Sequence, residues 1–260
     1  MRPAAAVRAL ASSLARRSTR RPSPEPPQPV PLLRAYGVNA VLDVGAHAGG
    51  YGERLRAGGY EGRMVSFEPL AGPRATLERR ASRDPLWSVR PYALGEEDGG
   101  VRLRVTGNDG EGSSVLPVRA RPGQTAPGAA HPGSQRAEAR RLDGLWDGLV
   151  TPGERVFLRL GVRGYEGHVL RGAGTRLAEC VGVQMETPLV PLHEGELLLD
   201  EALVWASGAG LTPMAVLPGP VEPSSGRMLR CDLVLFRAPE LREDRKLSLG
   251  NSPLLTRRDP

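Results

Sequence analysis

Short apolar runs alternate with amphipathic stretches along most of the chain. Runs of about five apolar or β-branched residues, bounded by Gly, Pro or Asp, predict strands, and apolar positions at helical spacing between them predict helices. The predicted strands cover residues 40–44, 63–67, 87–92, 101–105, 156–160, 181–186, 211–216 and 231–236, and the predicted helices cover 51–57, 73–81, 165–170 and 196–206. This alternation predicts an α/β fold, in which helices cover both faces of a mostly parallel sheet.

The pattern fades at both ends and in one internal segment. Residues 1–33 combine a basic start with a cluster of prolines, so we predict a disordered leader, of the composition found in transit peptides and in ordinary bacterial tails. A single domain is predicted over residues 34–238, followed by a loose tail at 239–260. Residues 107–135 are rich in Gly, Ser and Pro, which predicts either a functional loop or partial disorder.

The charge of the chain is concentrated in its leader. The formal net charge of the 260 residues is +6, but residues 1–40 hold seven arginines and one acid, whereas residues 41–260 hold 28 basic and 28 acidic side chains. The body therefore lacks the basic excess of a phosphate-contacting groove, and no nucleic-acid partner is predicted. No apolar run approaches the ~20 residues of a membrane-spanning helix.

Cysteine usage indicates a reducing compartment. Cys180 and Cys231 are the two cysteines of the chain, too few for a disulfide scaffold and too sparse for a zinc cluster. We therefore predict a cytoplasmic protein with no bound metal.

The most informative segment runs from a strand into a glycine-rich turn. Residues 41–50 read Val-Leu-Asp-Val-Gly-Ala-His-Ala-Gly-Gly, and such a turn lies at the carboxyl edge of a doubly wound sheet, where ligands bind. His47 stands where the dinucleotide fingerprint G-x-G-x-x-G requires its second glycine. Asp43 would also repel a phosphate. A nicotinamide dehydrogenase is therefore the least favoured of the functions considered.

Glu68 ends the second predicted strand, 25 residues after Asp43. A carboxylate at this position can accept hydrogen bonds from both hydroxyls of a ribose. The two acids together indicate an adenosine cofactor without phosphates, which S-adenosylmethionine (SAM) matches. The alternative is a plain turn at Gly45 and Gly49, with Glu68 capping the next helix. The order and spacing of these features favour the cofactor.

These residues resemble the FkbM-type methyltransferases, a family of class I SAM-dependent enzymes. The resemblance covers about residues 35–238 and is carried by the glycine turn, Phe-Glu-Pro at 67–69, Gly-Tyr-Glu at 164–166 and Val-Pro-Leu-His-Glu-Gly at 190–195. It implies a Rossmann-like sheet of seven strands, the last of them antiparallel. It also implies a set of cofactor-binding residues: Asp43, Gly45, Ala46, His47 and Gly49 around the methionine part, Glu68 at the ribose, and Ala93 and Leu94 beside the adenine.

The same topology makes the strands of Cys180 and Cys231 neighbours, so a close pair of buried thiols is expected. One departure from the family concerns the fourth main strand, where Lys-Ile-Asp is usual and this chain has Arg159-Leu160-Gly161. Loss of the acid argues against a metal-dependent mechanism. It also supports an alternative function, a degenerate member that binds SAM without efficient turnover.

The family suggests O-methylation of a hydroxyl on a small metabolite or glycan. The hydroxyl must lose a proton, and Glu166, Glu186 and His193 are the candidate catalytic residues near the sheet edge. Glu166 has a second interpretation as a helix cap, and His193 is expected to be exposed to solvent. Arg159 and Arg163 are candidates for binding an acidic acceptor, but isolated arginines in so arginine-rich a chain are usually solvated, and solvated side chains are therefore expected here.

Overall fold

The computed structural model describes residues 29–105, 113–119 and 133–238. Most of the predicted leader, much of the predicted internal loop and the predicted tail at 239–260 lie outside the described residues.

The described residues form ten strands and six α-helices. The strands are β1 (Ala40–Val44), β2 (Arg63–Phe67), β3 (Trp87–Arg90), β4 (Ala93–Leu94), β5 (Gly99–Val105), β6 (Gly133–Arg140), β7 (Val156–Leu160), β8 (Cys180–Pro188), β9 (Thr212–Pro218) and β10 (Arg230–Phe236). The helices are α1 (Val30–Ala35), α2 (Gly50–Ala57), α3 (Ala71–Ala81), α4 (Leu142–Leu149), α5 (Glu166–Ala173) and α6 (Leu199–Gly208), and a 3-10 helix covers Gly174–Glu179.

Seven of the strands form the central sheet, in the order β3-β2-β1-β7-β8-β10-β9. Strands β3, β2, β1, β7 and β8 are parallel to their neighbours, and β10 is antiparallel to both β8 and β9. The predicted seven-stranded, mostly parallel sheet with an antiparallel last strand is therefore confirmed. A smaller sheet, in the order β4-β6-β5, lies beside it.

Helices cover both faces of the central sheet, as its hydrophobic strands require. On one face, Trp146 of α4, Val169 of α5 and Ala202 of α6 pack against the apolar side chains of β1, β7 and β8. On the other face, Leu55 of α2 and Leu77 of α3 pack against Phe157 and its neighbours. No helix in the described ranges is long and apolar enough to cross a membrane.

The sequence pattern missed five elements, which are α1, β4, β6, α4 and the 3-10 helix. Helix α1 crosses the predicted domain boundary near residue 33, because Val30 and Leu33 are buried in the core while Pro31 lies in the first turn, where its missing N–H costs nothing. Strand β6 overlaps the predicted loop and is mostly exposed, so it carries no apolar alternation. Helix α4 follows it directly, and the helical spacing of its apolar residues Leu142, Leu145, Trp146 and Leu149 is a signal that the prediction overlooked.

The two cysteines are buried and free. Their strands are neighbours, as expected, but Cys180 is the first residue of β8 and Cys231 is the second residue of β10, where it is paired with Thr187 near the end of β8. Because β8 and β10 are antiparallel, their first residues lie at opposite ends of the pair. The expectation of a close pair of thiols is therefore wrong.

Leu42 lies in the middle of β1 and is fully buried between the two helical layers. We expect Leu42→Ala to lower the free energy of unfolding by about 2–5 kcal/mol, because it leaves a cavity in the core. Leu86→Ala is the matched control, since Leu86 is 48% exposed, and we expect it to cost less than about 1 kcal/mol. Urea titration of both variants checks this, and equal losses would contradict the assignment of the core.

Candidate functional site

A cleft of about 420 Å³ opens at the carboxyl ends of β1, β2, β7 and β8. Its volume lies within the range of small-molecule sites. The turn after β1 forms its centre, the end of β2 with β4 and Leu103 of β5 forms one side, and the loop after β7 with Glu186 of β8 forms the other. We call these two sides the β2 side and the β7 side.

The central turn is fixed by a close approach of two backbone segments. Gly45 has a φ of 75°, and a Cβ atom there would lie 2.5 Å from the carbonyl oxygen of Gly161. The N–H of Gly161 in turn donates to the carbonyl oxygen of Val44 (2.9 Å). A side chain at residue 45 would therefore separate the turn after β1 from the loop after β7.

Glu68 connects the glycine turn after β1 to the segment that follows β2. Its two carboxylate oxygens accept hydrogen bonds from the backbone N–H groups of His47 and Leu70, both at 2.8 Å. Burial raises the pKa of Glu68, and these two hydrogen bonds oppose that rise. Glu68 still lines the cleft. Each of its oxygens has a second lone pair, so the carboxylate can also accept two hydrogen bonds from a ligand.

The remainder of the β2 side is apolar. Phe67, Leu70, Ala93, Leu94 and Leu103 line it. Two of the predicted cofactor-binding residues, Ala93 and Leu94, therefore line this side, and three others, Gly45, Ala46 and His47, line the centre of the cleft. A flat ring with an attached diol fits this combination of apolar wall and carboxylate.

Asp43 does not line the cleft. It is 1% exposed, and its carboxylate accepts a hydrogen bond from Nη1 of Arg159 at 3.1 Å. Burial raises the pKa of Asp43, and the guanidinium of Arg159 opposes that rise. Gly49 also lies outside the cleft lining: it is the N-cap residue of α2, has a φ of 88° and packs against Leu77 and Trp87.

Arg159 does line the cleft, and the expectation that it is solvated is wrong. Its Nη1 atom also donates to the carbonyl oxygen of Gly45 (3.2 Å), and its guanidinium carbon lies 4.9 Å from the ring centroid of Tyr51. Burial lowers the pKa of Arg159, but the combined attraction of Asp43, Asp232, Tyr51 and Glu186 outweighs it, so that this pKa is raised and the side chain stays charged. A lone arginine within the apolar strand Val-Phe-Leu-Arg-Leu is the sequence signal that could have identified it.

Glu186 is the predicted catalytic residue that reaches the cleft. Its carboxylate pairs with Arg163 (3.2 Å between Nη1 and Oε1) and with Arg230. Arg163 lines the cleft as well, so it is not a solvated surface residue. It has a φ of 52°, which is rare for a residue with a side chain and is typical of functional sites.

Glu166 lies beneath the β7 side and is 2% exposed. Its carboxylate accepts a hydrogen bond from the N–H of Val162 (3.1 Å) and another from the backbone of Gly164. Burial raises the pKa of Glu166 to about 8, with a contribution from Glu186, and the backbone hydrogen bonds oppose the rise. Glu166 therefore shapes the loop after β7 and does not face the cleft.

His193 lies in a separate, small cavity and is 9% exposed, so the expectation of a solvent-exposed histidine is wrong. Its Nδ1 atom lies 3.1 Å from Oε2 of Glu196, and its backbone N–H donates to Oε1 of the same residue (2.9 Å). Through these contacts His193 stabilises the loop that follows β8.

Residues 113–119 form a further part of the cleft wall and contact the loop after β7. The hydroxyl of Ser114 donates to the carbonyl oxygen of Arg163 (2.7 Å), and Val118 forms a backbone bridge with His193. Ser113, Ser114 and Val115 line the cleft. Sequence reasoning found no chemistry in this segment, because its role depends on the distant loop on which it packs.

Arg54 of α2 is a further cleft residue that the sequence did not indicate. It lines the cleft next to the glycine turn, and its Nε atom is buried with no hydrogen-bond partner in the described part of the chain. A buried donor without a partner costs free energy, so an anionic ligand group would be favoured here. Within the described ranges, no group of three or more His, Cys, Asp or Glu residues could hold a metal ion.

The sequence profile of the methyltransferase FkbM domain matches residues 43–200. No curated protein matches the chain. Among solved structures, the magnesium protoporphyrin IX methyltransferase of Synechocystis PCC 6803 with bound SAM is 9% identical, with 80% of this chain and 76% of that one covered and a TM-score of 0.45.

Two further solved structures are similar to the chain. The methyltransferase domain of bacterial CtHen1-CN is 11% identical, with 80% of this chain and 95% of that one covered and a TM-score of 0.45. An O-methyltransferase from neocarzinostatin biosynthesis, in complex with SAM and 2-hydroxy-5-methyl naphthoic acid, is 14% identical, with 78% and 50% covered and a TM-score of 0.38.

The raised pKa of Glu166 predicts a pH dependence of stability. Because folding raises the pKa from 4.5 to about 8, the stabilising contribution of this group is complete below pH 4.5 and is lost as the pH rises through 8. Glu166→Gln does not titrate. We therefore expect the free energy of unfolding of the unmodified protein to fall by about 3–4 kcal/mol relative to Glu166→Gln between pH 5 and pH 8.

Urea titrations at pH 5, 6.5 and 8 measure this difference. Glu61→Gln controls for the loss of a carboxylate, since Glu61 is exposed and its substitution should leave the pH dependence unchanged. If the free energy of unfolding changes with pH in the same way in the unmodified protein and in Glu166→Gln, folding does not raise the pKa of Glu166 and the prediction is wrong.

Proposed function

Because the chain belongs to the FkbM methyltransferase family, with SAM as its cofactor, we propose that it methylates a hydroxyl oxygen on a small metabolite or glycan. Membership rests on the family profile, which matches residues 43–200, more than half of the chain. The observation that carries the cofactor site is Glu68, a buried carboxylate that lines the cleft and keeps acceptor capacity on both oxygens.

The cleft fits the three parts of SAM. Glu68 would accept hydrogen bonds from the ribose hydroxyls, and the apolar wall with Ala93 and Leu94 would receive the adenine. Gly45, Ala46 and His47 would surround the methionine part at the centre of the cleft. Arg54 lies beside this turn with its Nε unpartnered in the described residues, and we assign it to the methionine carboxylate.

When bound, SAM supplies an electrophilic methyl group on a sulfonium. The protein then has to align the acceptor and exclude water, which is the largest help it can give to such a displacement. The β7 side, with residues 161–163, Tyr165 and Glu186, is the part of the cleft left for the acceptor. Residues 113–115 cover it, and Glu186, the carboxylate in reach, would accept the hydroxyl proton.

The structure around Gly161 does not favour the alternative of a binding protein without turnover. A Cβ atom at residue 161 would overlap the guanidinium of Arg159. The guanidinium of Arg159 therefore fills the space that an acidic side chain at position 161 would occupy in the family, and the cleft beside it stays open. We also propose a cytoplasmic location, since both cysteines are free.

Calorimetric titration of SAM tests the cofactor site. We expect Glu68→Ala to weaken binding roughly ten- to a hundredfold, because the variant loses hydrogen bonds from the ribose to a charged acceptor. Glu78→Ala, a substitution of the same kind on the exposed face of α3, should bind as the unmodified protein does. Absence of SAM binding to the unmodified protein would overturn the proposed function.

A further inference from the structure

The β7 side of the cleft is rich in arginine where the acceptor has to bind. Arg159 and Arg163 both line it, and Glu186 is the carboxylate among its described lining residues. The remaining acids nearby do not line the cleft: Asp43 pairs with Arg159 behind it, Asp232 accepts a hydrogen bond from Gln184, and Glu166 is buried beneath the loop. An acceptor entering this side therefore faces more guanidinium than carboxylate.

Arg159 is held in place but retains donors. All its hydrogen bonds to described residues come from Nη1, which contacts Asp43 and Gly45. A guanidinium has five N–H donors in a planar fork, so the Nη2 and Nε atoms keep N–H groups for a ligand. The stack on Tyr51 fixes the plane of the group, and the absence of a side chain at Gly161 makes room for it.

Arg163 is positioned from two directions. Its backbone is held by the hydroxyl of Ser114, which donates to its carbonyl oxygen, and its guanidinium contacts Glu186. Glu186 is shared with Arg230, whose Nε atom is buried without a hydrogen-bond partner in the described residues. Two arginines thus share the carboxylate of Glu186, and Asp232, which attracts Arg163 as well, does not line the cleft.

The cofactor would add positive charge. With Gly45, Ala46 and His47 around its methionine part, as proposed above, the sulfonium of SAM would face the acceptor from the centre of the cleft. A cationic acceptor would be repelled by both the sulfonium and the arginines, and a neutral one would leave the guanidinium donors unpaired. A carboxylate matches the planar fork of arginine with two parallel hydrogen bonds.

Resting on the proposed function, we propose that the acceptor is an acid, a hydroxyl-bearing small molecule whose carboxylate is bound by Arg163 together with Arg159. Arg163 is then a specificity-determining residue, which selects acidic acceptors over neutral ones of the same shape. Glu186 stays paired with Arg230 when Arg163 is replaced, so the substitution does not leave a buried carboxylate without a partner.

Binding of matched probes to the protein saturated with S-adenosylhomocysteine tests this proposal. The probes are two acids and their neutral counterparts, 4-hydroxybenzoate with 4-hydroxybenzamide and glucuronate with glucose, and their binding is followed by ligand-observed NMR titration. We expect the acid of at least one pair to bind about tenfold more tightly than its neutral partner. Increasing salt should reduce that preference, since it screens charge.

Variants of Arg163 identify the source of the preference. Arg163→Gln should reduce it to about twofold or less, and Arg163→Lys, which keeps the charge without the fork, should give an intermediate value. Arg79→Gln makes the same chemical change on the exposed face of α3 and should leave the preference unchanged. The affinity for S-adenosylhomocysteine should be the same in all of these proteins.

Two results would overturn the proposal while the proposed function stands. One is binding of S-adenosylhomocysteine without preference for either acid, and the other is a preference that Arg163→Gln retains. Failure of S-adenosylhomocysteine to bind the unmodified protein would instead overturn the proposed function, and the acidic acceptor with it.

Discussion

The buried ion pair between Asp43 and Arg159 is the interaction on which the site depends. The two residues lie directly opposite each other on the adjacent strands β1 and β7, and each compensates a charge that would be costly to bury alone. Arg159 also donates to Gly45, so the pair fastens the turn after β1 to the end of β7. The centre of the cleft and its β7 side thereby become one rigid unit.

This pair belongs to a polar row that crosses four strands of the central sheet. Ser66, Asp43, Arg159 and Gln184 are register partners on β2, β1, β7 and β8. Side chains outside the row complete its hydrogen bonds: the indole N–H of Trp87 donates to Ser66 (3.0 Å), and the hydroxyl of Tyr51 donates to Gln184 (2.9 Å). Buried polar groups with partners of this kind specify one arrangement of strands and helices.

Three buried carboxylates shape the loops around the cleft. Glu68 accepts hydrogen bonds from the backbone of the glycine turn, Glu166 from the loop after β7, and Glu196 from the loop that contains His193. Each satisfies N–H groups that no secondary structure would pair. Acids that look like catalytic candidates in the sequence can therefore be positioning residues, as Glu166 is. Glu68 holds the glycine turn in place and also lines the cleft, so it is both a positioning residue and a candidate for ligand binding.

The sequence by itself determined the strands of the central sheet, the glycine turn and the place of Glu68, because burial periodicity and turn chemistry are local properties of the chain. Tertiary structure decided which charged groups meet: Arg159 lies 116 residues from Asp43 and joins it only through the order and register of β1 and β7. It also decided that Glu166 and His193 turn away from the cleft, and that exposed β6 pairs with β5. Such partners depend on contacts between distant segments, which no local pattern of apolar and polar residues records.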